Sequence, residues 1–255
     1  MPITVLLSND DGYQAEGLQT LCRMLAKEKD ITVYVAAPLH QQSGTGHSMH
    51  TRQRVSVQEV HIPGAAGAWA IDGTPVDAVK IGLEKMLQKE TVACLISGIN
   101  QGRNVGVDVF YSGTVGAAAE AAILGVPALA VSLDACTDTP EYETAAAITV
   151  QLLQKILQQM KQTLFLLNVN IPEAAAENIP GVRTARLAVM RYHNELAEQY
   201  NEAGRLEFRL GGSCETLSDA PDDDVRLLDK GYVTLTPLTL ERTDLAMLEM
   251  CRKCL

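Results

Sequence analysis

The chain has 255 residues, of which 47% are hydrophobic and 20% are charged, so it can bury the core of one large α/β domain, with or without an appendage. Its formal net charge is −10 and its basic residues are scattered singly, which argues against nucleic-acid polymers and anionic membrane surfaces as partners. The N-terminal residues lack the pattern of a signal peptide, and no apolar stretch is long enough to span a bilayer. We therefore expect a soluble, cytoplasmic protein.

Strand and helix patterns alternate through residues 1–135. Short β-branched or apolar runs predict strands at 3–7, 31–36, 92–96 and 126–133, and a strand or hairpin within 54–71. Helical spacing or capping residues predict helices at 15–28, from Thr74-Pro75 onwards and at 114–124. This alternation is typical of a parallel sheet with helices packed against it.

The pattern changes in the second half of the chain. Residues 142–160 are predicted to form a long helix and residues 163–170 a strand. After residue 180 come short β-like runs separated by polar segments, at 185–190, 206–210 and 232–238. We therefore predict a main α/β domain at 1–180 and a β-rich extension at 181–255 that packs on a partner subunit, because such short strands cannot build a core alone.

An acidic pair, Asp10 and Asp11, directly follows the first predicted strand. Ligands of open parallel sheets bind at the carboxyl ends of strands. Adjacent carboxylates raise each other's pKa, and a hard divalent cation such as Mg²⁺ or Mn²⁺ would offset their charge. The alternative is that the pair caps the helix near residue 15 and forms a turn with Gly12.

Two further polar loops follow predicted strands. In the first, Ser43-Gly44-Thr45 combines a backbone that a ligand can approach closely with hydroxyls for a metal or a phosphate. In the second, Asn100 offers a neutral carbonyl ligand, Asn104 follows it, and Ser112-Gly113-Thr114 opens a helix whose N-terminus attracts anions. The alternatives are an ordinary Gly/Ser turn for the first loop, and turn asparagines with Thr114 as a plain N-cap for the second.

Four of these segments resemble the SurE family, also called survival protein E, of nucleotidases. They are LLSNDDG at 6–12, SGTGHS at 43–48, SGINQGRNVG at 97–106 and YSGTVGAAAE at 111–120. The resemblance continues through shorter motifs at 125–132, 168–172, 191–192 and 231–237. Departures from the family pattern at His50, 202–205 and 221–224 lie outside these four segments.

The resemblance implies a metal-dependent phosphomonoesterase that acts on nucleoside 5′- and 3′-monophosphates. It implies a Rossmann-like three-layer sandwich at 1–180 as the catalytic domain, with a C-terminal extension exchanged between the subunits of a homodimer or homotetramer. One Mg²⁺ or Mn²⁺ per subunit would be held by the residues that match the family's ligands: Asp10, Asp11, Ser43 and Asn100. The residues expected to bind phosphate are Ser43, Gly44, Thr45, Asn104, Ser112, Gly113 and Thr114.

The mechanism that we expect is direct hydrolysis by a water activated at the metal. Asp10 or Asp11 would orient or deprotonate that water, and His47 is near enough in sequence to protonate the leaving oxygen. An aspartyl-phosphate route is set aside, because the position that would hold its nucleophile is Asn9. The second alternative is a non-catalytic nucleotide or cation sensor with a receiver-like fold, which would bind Mg²⁺ at the same acidic pair.

Six cysteines, at 22, 94, 136, 214, 251 and 254, lack the spacing of a disulfide scaffold. Cys94 lies in an apolar run and is expected to be a small buried residue. Cys251 and Cys254 have zinc or redox spacing, but no second pair follows them, so we assign them no metal role.

Overall fold

The computed structural model describes residues 2–135, 137, 139–161 and 163–254, so Cys136 lies outside the described residues. The strands are β1 (Ile3–Ser8), β2 (Ile31–Pro38), β3 (Val57–Glu59), β4 (Gly67–Ile71), β5 (Val92–Gln101), β6 (Ala128–Asp134), β7 (Leu166–Pro172), β8 (Val182–Thr184), β9 (Met190–Tyr200), β10 (Leu206–Thr216) and β11 (Val233–Pro237). The helices are α1 (Glu16–Leu25), α2 (Pro75–Ile81), α3 (Gly113–Ile123), α4 (Glu143–Gln159), α5 (Asp224–Asp229) and α6 (Leu245–Cys254).

Within the described residues, nine strands form one sheet in the order β3-β4-β2-β1-β5-β6-β7-β11-β8. Six consecutive strands of this order, from β4 to β7, are parallel to one another. Strand β3 pairs antiparallel with β4, which makes the segment predicted at 54–71 a hairpin, and β11 pairs antiparallel with β7. The prediction of a mostly parallel sheet is therefore confirmed.

Side chains of β1 alternate between two cores, one on each face of the sheet. Val5 and Leu7 pack with α1 and α4, whereas Leu6 packs with α2 and α3. The period of two along a strand decides which core each residue joins. The result is the expected three-layer sandwich, in which Cys94 is fully buried.

Local capping explains where the helices near the site begin. At α2 the Thr74 side chain accepts a hydrogen bond from the N–H of Asp77, and the Asp77 carboxylate accepts one from the N–H of Thr74. Pro75 occupies the first helical position, as predicted. At α3 the N-cap is Ser112 rather than Thr114, so the alternative of a capping Thr114 is wrong.

The residues after 180 have two different environments. Strands β8 and β11 extend the main sheet, with β11 hydrogen-bonded to both β7 and β8. In contrast, β9 and β10 form a separate two-stranded hairpin that is almost wholly exposed, and every residue of α6 is exposed, including Cys251 and Cys254. The division of the chain at residue 180 stays a prediction.

No helix among the described residues is both long and apolar enough to cross a membrane. The expected cytoplasmic location stays a prediction.

Candidate metal and phosphate site

Asp10 and Asp11 lie at the carboxyl end of β1, at the centre of the sheet. Asp10 is only 4% exposed, and its Oδ1 accepts a hydrogen bond from the hydroxyl of Thr114. Burial raises the pKa of Asp10 to about 6; the Thr114 bond opposes this shift and the charge of Asp11 adds to it. Burial also raises the pKa of Asp11. The two carboxylates therefore lie where an opposite charge would stabilise their ionised forms.

The helix-capping alternative for this pair is wrong. The N-cap of α1 is Ala15, and no side chain caps that helix end. The turn at Gly12 does form, but Asn9 closes it by donating its side-chain N–H to the carbonyl of Gly12. Neither aspartate side chain therefore caps α1 or closes the turn at Gly12.

The loop at 39–48 brings Ser43 beside Asp11. Its backbone is fixed to β1 where the N–H of Gln42 donates to the carbonyl of Asp10 at 2.7 Å. The side-chain amide of Gln41 then donates to Ser43 Oγ at 3.1 Å and, more weakly, to Asp11 Oδ1 at 3.4 Å. Gly44 has a φ of +74°, a conformation that favours glycine, and an added Cβ there would meet nothing within 4 Å. The loop is therefore open to a ligand on this side.

The end of β5 approaches Asp11 from the other side. The N–H of Gln101 lies 3.4 Å from Asp11 Oδ2. The side-chain nitrogen of the preceding Asn100 donates to the carbonyls of Gln101 and Gly102 at 3.1 and 2.8 Å. With that nitrogen bound within the loop, the Oδ1 atom of Asn100 is the atom that can coordinate a cation.

The N-terminus of α3 packs directly against Asp10. A Cβ added at Gly113 would lie 2.8 Å from Asp10 Cβ and 3.0 Å from Thr45 Oγ1. Only glycine fits this approach. The first N–H groups of a helix have no partner within the helix, so α3 presents backbone donors and its positive dipole end beside the acidic pair.

The oxygen donors fit a hard divalent cation. Asp10 and Asp11 would supply charge, and Ser43 and Asn100 would supply neutral oxygens, which are the donor types that Mg²⁺ and Mn²⁺ take. The assignment of these four residues as metal ligands stays a prediction. In the described part of the chain, no three or more His, Cys, Asp or Glu side chains come together as a possible metal group. The arrangement is therefore two carboxylates with neutral oxygens, next to a helix N-terminus that accepts anions.

Comparison with known proteins decides the family. A family model described as "Survival protein SurE" matches residues 5–194. The chain belongs to the SurE family. Proteins named "5'-nucleotidase SurE" are similar along nearly the whole chain. The one from Syntrophomonas wolfei subsp. wolfei is 37% identical over 249 residues, which cover 98% of this chain and 93% of the relative. The one from Gloeobacter violaceus is 40% identical over 242 residues, covering 94% and 90%.

A solved SurE structure has the same fold. The crystal structure of the SurE protein from Aquifex aeolicus matches with a TM-score of 0.82 at 29% sequence identity. The match covers 98% of this chain and 99% of the other. The Rossmann-like sandwich implied by the SurE resemblance is therefore confirmed.

Several side chains that were predicted to bind phosphate in this SurE-family chain are hydrogen-bonded to other groups of the protein. Ser112 Oγ accepts the N–H of Val115, the N–H of Ser112 donates to the carbonyl of Asp108 at 3.0 Å, and the Thr114 hydroxyl is bound to Asp10. The assignment of phosphate binding to Ser112 and Thr114 therefore stays a prediction. Asn104 is buried, and its side-chain nitrogen donates to Ser132 Oγ at 2.8 Å. The assignment of phosphate binding to Asn104 stays a prediction.

Beneath the loop that carries Asn104 lies a polar support that sequence reasoning missed. Asn168 and Asn170 of β7 donate to the backbone carbonyl of Asn104 at 2.8 and 3.0 Å, and Asn170 also accepts its N–H. Asp224 accepts the N–H of Gly106 from the opposite side. Two asparagines at alternate positions of an otherwise apolar strand were the signal that could have indicated this support.

His47 is also placed differently from the expectation. Its Nε2 is bound at 2.9 Å to the carboxylate of Glu120, a buried residue of α3. Lys80 of α2 binds the other oxygen of that carboxylate at 2.5 Å. The role of His47 as a proton donor to the leaving group stays a prediction.

Proposed function

We propose that this chain is a divalent-metal-dependent phosphomonoesterase that releases phosphate from nucleoside 5′-monophosphates and, as the sequence resemblance implies, from 3′-monophosphates. The observation that carries the proposal is the convergence of an acidic pair and a helix N-terminus on one point, through Asp10, Gly113 and Thr114. Hydrolysis of a dianionic phosphate monoester is promoted by a cation and by aligned N–H donors, which offset the charge of the phosphoryl oxygens. The acidic pair could hold the cation, and the start of α3 could supply the donors. The names of the relatives support the same activity.

One Mg²⁺ or Mn²⁺ per subunit would be held by Asp10, Asp11, Ser43 and Asn100. When bound, this ion supplies a Lewis acid for the phosphoryl oxygens and lowers the pKa of a water. The hydrogen bond from Thr114 fixes the Asp10 carboxylate, and the donors on Gln41 and Gln101 orient Asp11. The carboxylates of Asp10 and Asp11 are thus oriented by contacts from three separate segments of the chain, and such supporting contacts tune the affinity of metal sites in general.

The chain's own groups then bind and orient the substrate. Backbone N–H groups at 43–45 and at the start of α3 bind the equatorial phosphoryl oxygens, whose charge grows in the transition state. Asp11, the more exposed aspartate, orients the attacking water and accepts its proton. The new P–O bond forms as the bond to the nucleoside oxygen breaks, and that oxygen takes up a proton to give the nucleoside.

We also propose that segments within 181–255 join subunits. One face of the β9–β10 hairpin carries exposed apolar residues: Tyr192, Leu196, Tyr200, Leu206, Phe208 and Leu210. An isolated two-stranded hairpin is marginally stable in water, so a second copy covering this face would stabilise it.

Helix α6 is exposed and carries apolar residues, and a largely apolar groove of about 970 Å³ runs beside α3. Exchange of α6 into the groove of a second copy would bury both surfaces.

Phosphate release from a panel of nucleoside 5′- and 3′-monophosphates, with Mg²⁺, Mn²⁺ or chelator, tests the activity. The expected result is steady release of phosphate and nucleoside in equal amounts, abolished by chelator and restored by metal. A protein that binds Mn²⁺ but releases no phosphate from any nucleotide would be a sensor, and the proposed activity would be wrong.

A further inference from the structure

Three elements of the chain meet on the carboxylate of Glu120. Glu120 belongs to α3 and its side chain is 6% exposed. Its Oε1 binds Lys80 of α2 at 2.5 Å, and its Oε2 binds His47, near the end of the loop at 39–48, at 2.9 Å. A buried carboxylate is costly unless it is paired, and here each oxygen has its own partner from a different element.

The pairing keeps Glu120 ionised. Burial raises the pKa of Glu120, but the hydrogen bonds from Lys80 and His47 outweigh it, and the pKa lies below its usual value. Lys80 alone would neutralise the charge of this carboxylate. The other oxygen of the Glu120 carboxylate, Oε2, binds His47. Glu120 therefore connects α3 to the loop at 39–48 as well as to α2.

The stretch at 43–46 is held at both ends. At one end the N–H of Gln42 is bonded to the carbonyl of Asp10, and at the other end His47 is bonded to Glu120. Between these points the loop lies on α3 and on the residues just before it: the N–H of Gly46 donates to the carbonyl of Tyr111, two residues before α3, at 2.9 Å. A Cβ added at Gly116 would lie 2.4 Å from the carbonyl oxygen of Gly46. A short segment fixed at both ends has little freedom to move Ser43 or the N–H groups beside it.

We propose that Glu120 is a positioning residue: by holding His47 it sets the position of Ser43 and of the N–H groups at 43–45 relative to Asp11 and the start of α3. The inference rests on the proposed function, because it assigns Glu120 a part in the metal and phosphate site. Glu120 itself need not contact substrate or metal.

The chain contains a matched control three residues beyond His47. His50 binds the carboxylate of Asp77 through its Nδ1, at 2.6 Å, and through its backbone N–H, at 3.0 Å. This contact has the same chemistry, a histidine on a carboxylate at the N-terminus of α2. It lies outside the stretch between Gln42 and His47, so it anchors the chain without setting the position of Ser43.

The test compares Glu120→Gln, His47→Ala, His47→Gln and the control His50→Gln. Mn²⁺ affinity is measured by spin resonance of the free ion, and KM and kcat are measured for a nucleoside monophosphate at saturating Mn²⁺. Glu120→Gln and His47→Ala should each weaken Mn²⁺ binding about 10- to 100-fold, as loss of supporting contacts does at metal sites, and should raise KM. His47→Gln places an N–H donor near the position of the histidine Nε2, so it keeps a donor for Glu120 and should recover most of the loss. His50→Gln should match the wild type.

A double variant, Glu120→Gln with His47→Ala, completes the test. If Glu120 acts through His47, the double variant should bind Mn²⁺ no more weakly than either single variant. Additive losses, or single variants that lower the melting temperature but keep the wild-type Mn²⁺ affinity and KM, would overturn the positioning role. Because His47 lies on a partly exposed loop, its two variants decide the matter even if Glu120→Gln does not fold. If the wild type binds Mn²⁺ but releases no phosphate, the proposed activity is wrong. The Mn²⁺ affinities of the variants would still test the positioning role of Glu120.

Discussion

Thr114 donates its hydroxyl hydrogen to the carboxylate of Asp10, although 104 positions separate the two residues in the chain. The bond joins the end of the central strand β1 to the first turn of α3. It therefore places the proposed metal ligand and the proposed phosphate donors in one fixed geometry. A change at Thr114 should affect the metal site without removing any of its ligands.

Thr114→Val should weaken Mn²⁺ binding about 10- to 100-fold, because valine keeps the shape of threonine but cannot donate to Asp10. Thr114→Ser keeps the hydroxyl and is the matched control. Calorimetric titration of both variants with Mn²⁺ checks this expectation. Equal affinities for the two variants would mean that the bond to Asp10 does not orient the site.

Gly113→Ala should lower turnover strongly and destabilise the fold by about 1–3 kcal/mol. The added methyl group would lie 2.8 Å from Asp10 Cβ and 3.0 Å from Thr45 Oγ1, so α3 or the acidic pair must shift. In Gly211→Ala, on the exposed hairpin, the nearest atom to the new methyl group would be 3.9 Å away. Phosphate release and urea unfolding of the two variants should differ accordingly, and a fully active Gly113→Ala protein would show that the close approach has no functional role.

The stability of the α2 N-terminus should depend on pH through Asp77. Burial raises the pKa of Asp77, but its bonds to His50 and Thr74 outweigh it, and the pKa lies below its usual value. A carboxyl group with a lowered pKa stabilises the fold above its unfolded pKa, and this contribution is lost as the pH falls through the folded pKa. Asp77→Asn should therefore cost about 1–3 kcal/mol at pH 7 and progressively less as the pH falls through the folded pKa of Asp77, because the wild-type carboxyl then becomes protonated. Urea unfolding of wild type and variant at pH 7 and over a series of acidic pH values measures this dependence, and a loss that does not decrease with pH would contradict it.

Much of the sheet could be predicted because its inner strands are short apolar runs that differ sharply from their flanks. The strand at 190–200 could not, since both of its faces are exposed and both carry polar residues, so the clear alternation of a half-buried strand is absent. The sequence also does not reveal that β11 pairs with β7 in the main sheet, because this pairing joins two segments that are far apart in the chain.

The residues of the candidate site also fall into two groups, those that the sequence indicates and those that only the structure reveals. Asp10, Asp11, Ser43 and Asn100 stand in short motifs that local reasoning can find. Glu120 is the only acidic residue of an alanine-rich helix, which was a signal, but its partners lie 40 and 73 positions away. Such contacts arise from packing, so a single sequence does not reveal them.

The oligomer prediction is best tested by substitution, since cutting the chain at 180 would also remove β11 from the main sheet. Phe208→Arg lies on the apolar face of the hairpin and should lower the mass measured by light scattering, because a charge would be buried between copies. Arg209→Glu, on the other face of the same strand, is the control and should leave the mass unchanged. An unchanged mass in Phe208→Arg would exclude this face as an interface.

The most direct test of the central claim measures metal affinity and phosphate release on the same preparations of wild type, Asp10→Asn and Asp11→Asn. Asp30→Asn serves as the control, since Asp30 precedes β2 and lies at the amino ends of the parallel strands, whereas the site lies at their carboxyl ends. Each site variant should bind Mn²⁺ more weakly and lose turnover by orders of magnitude, because a ligand charge is removed, while its folding in chelator should be unchanged or improved. Near-wild-type turnover in both site variants would contradict the metal site and the proposed mechanism together.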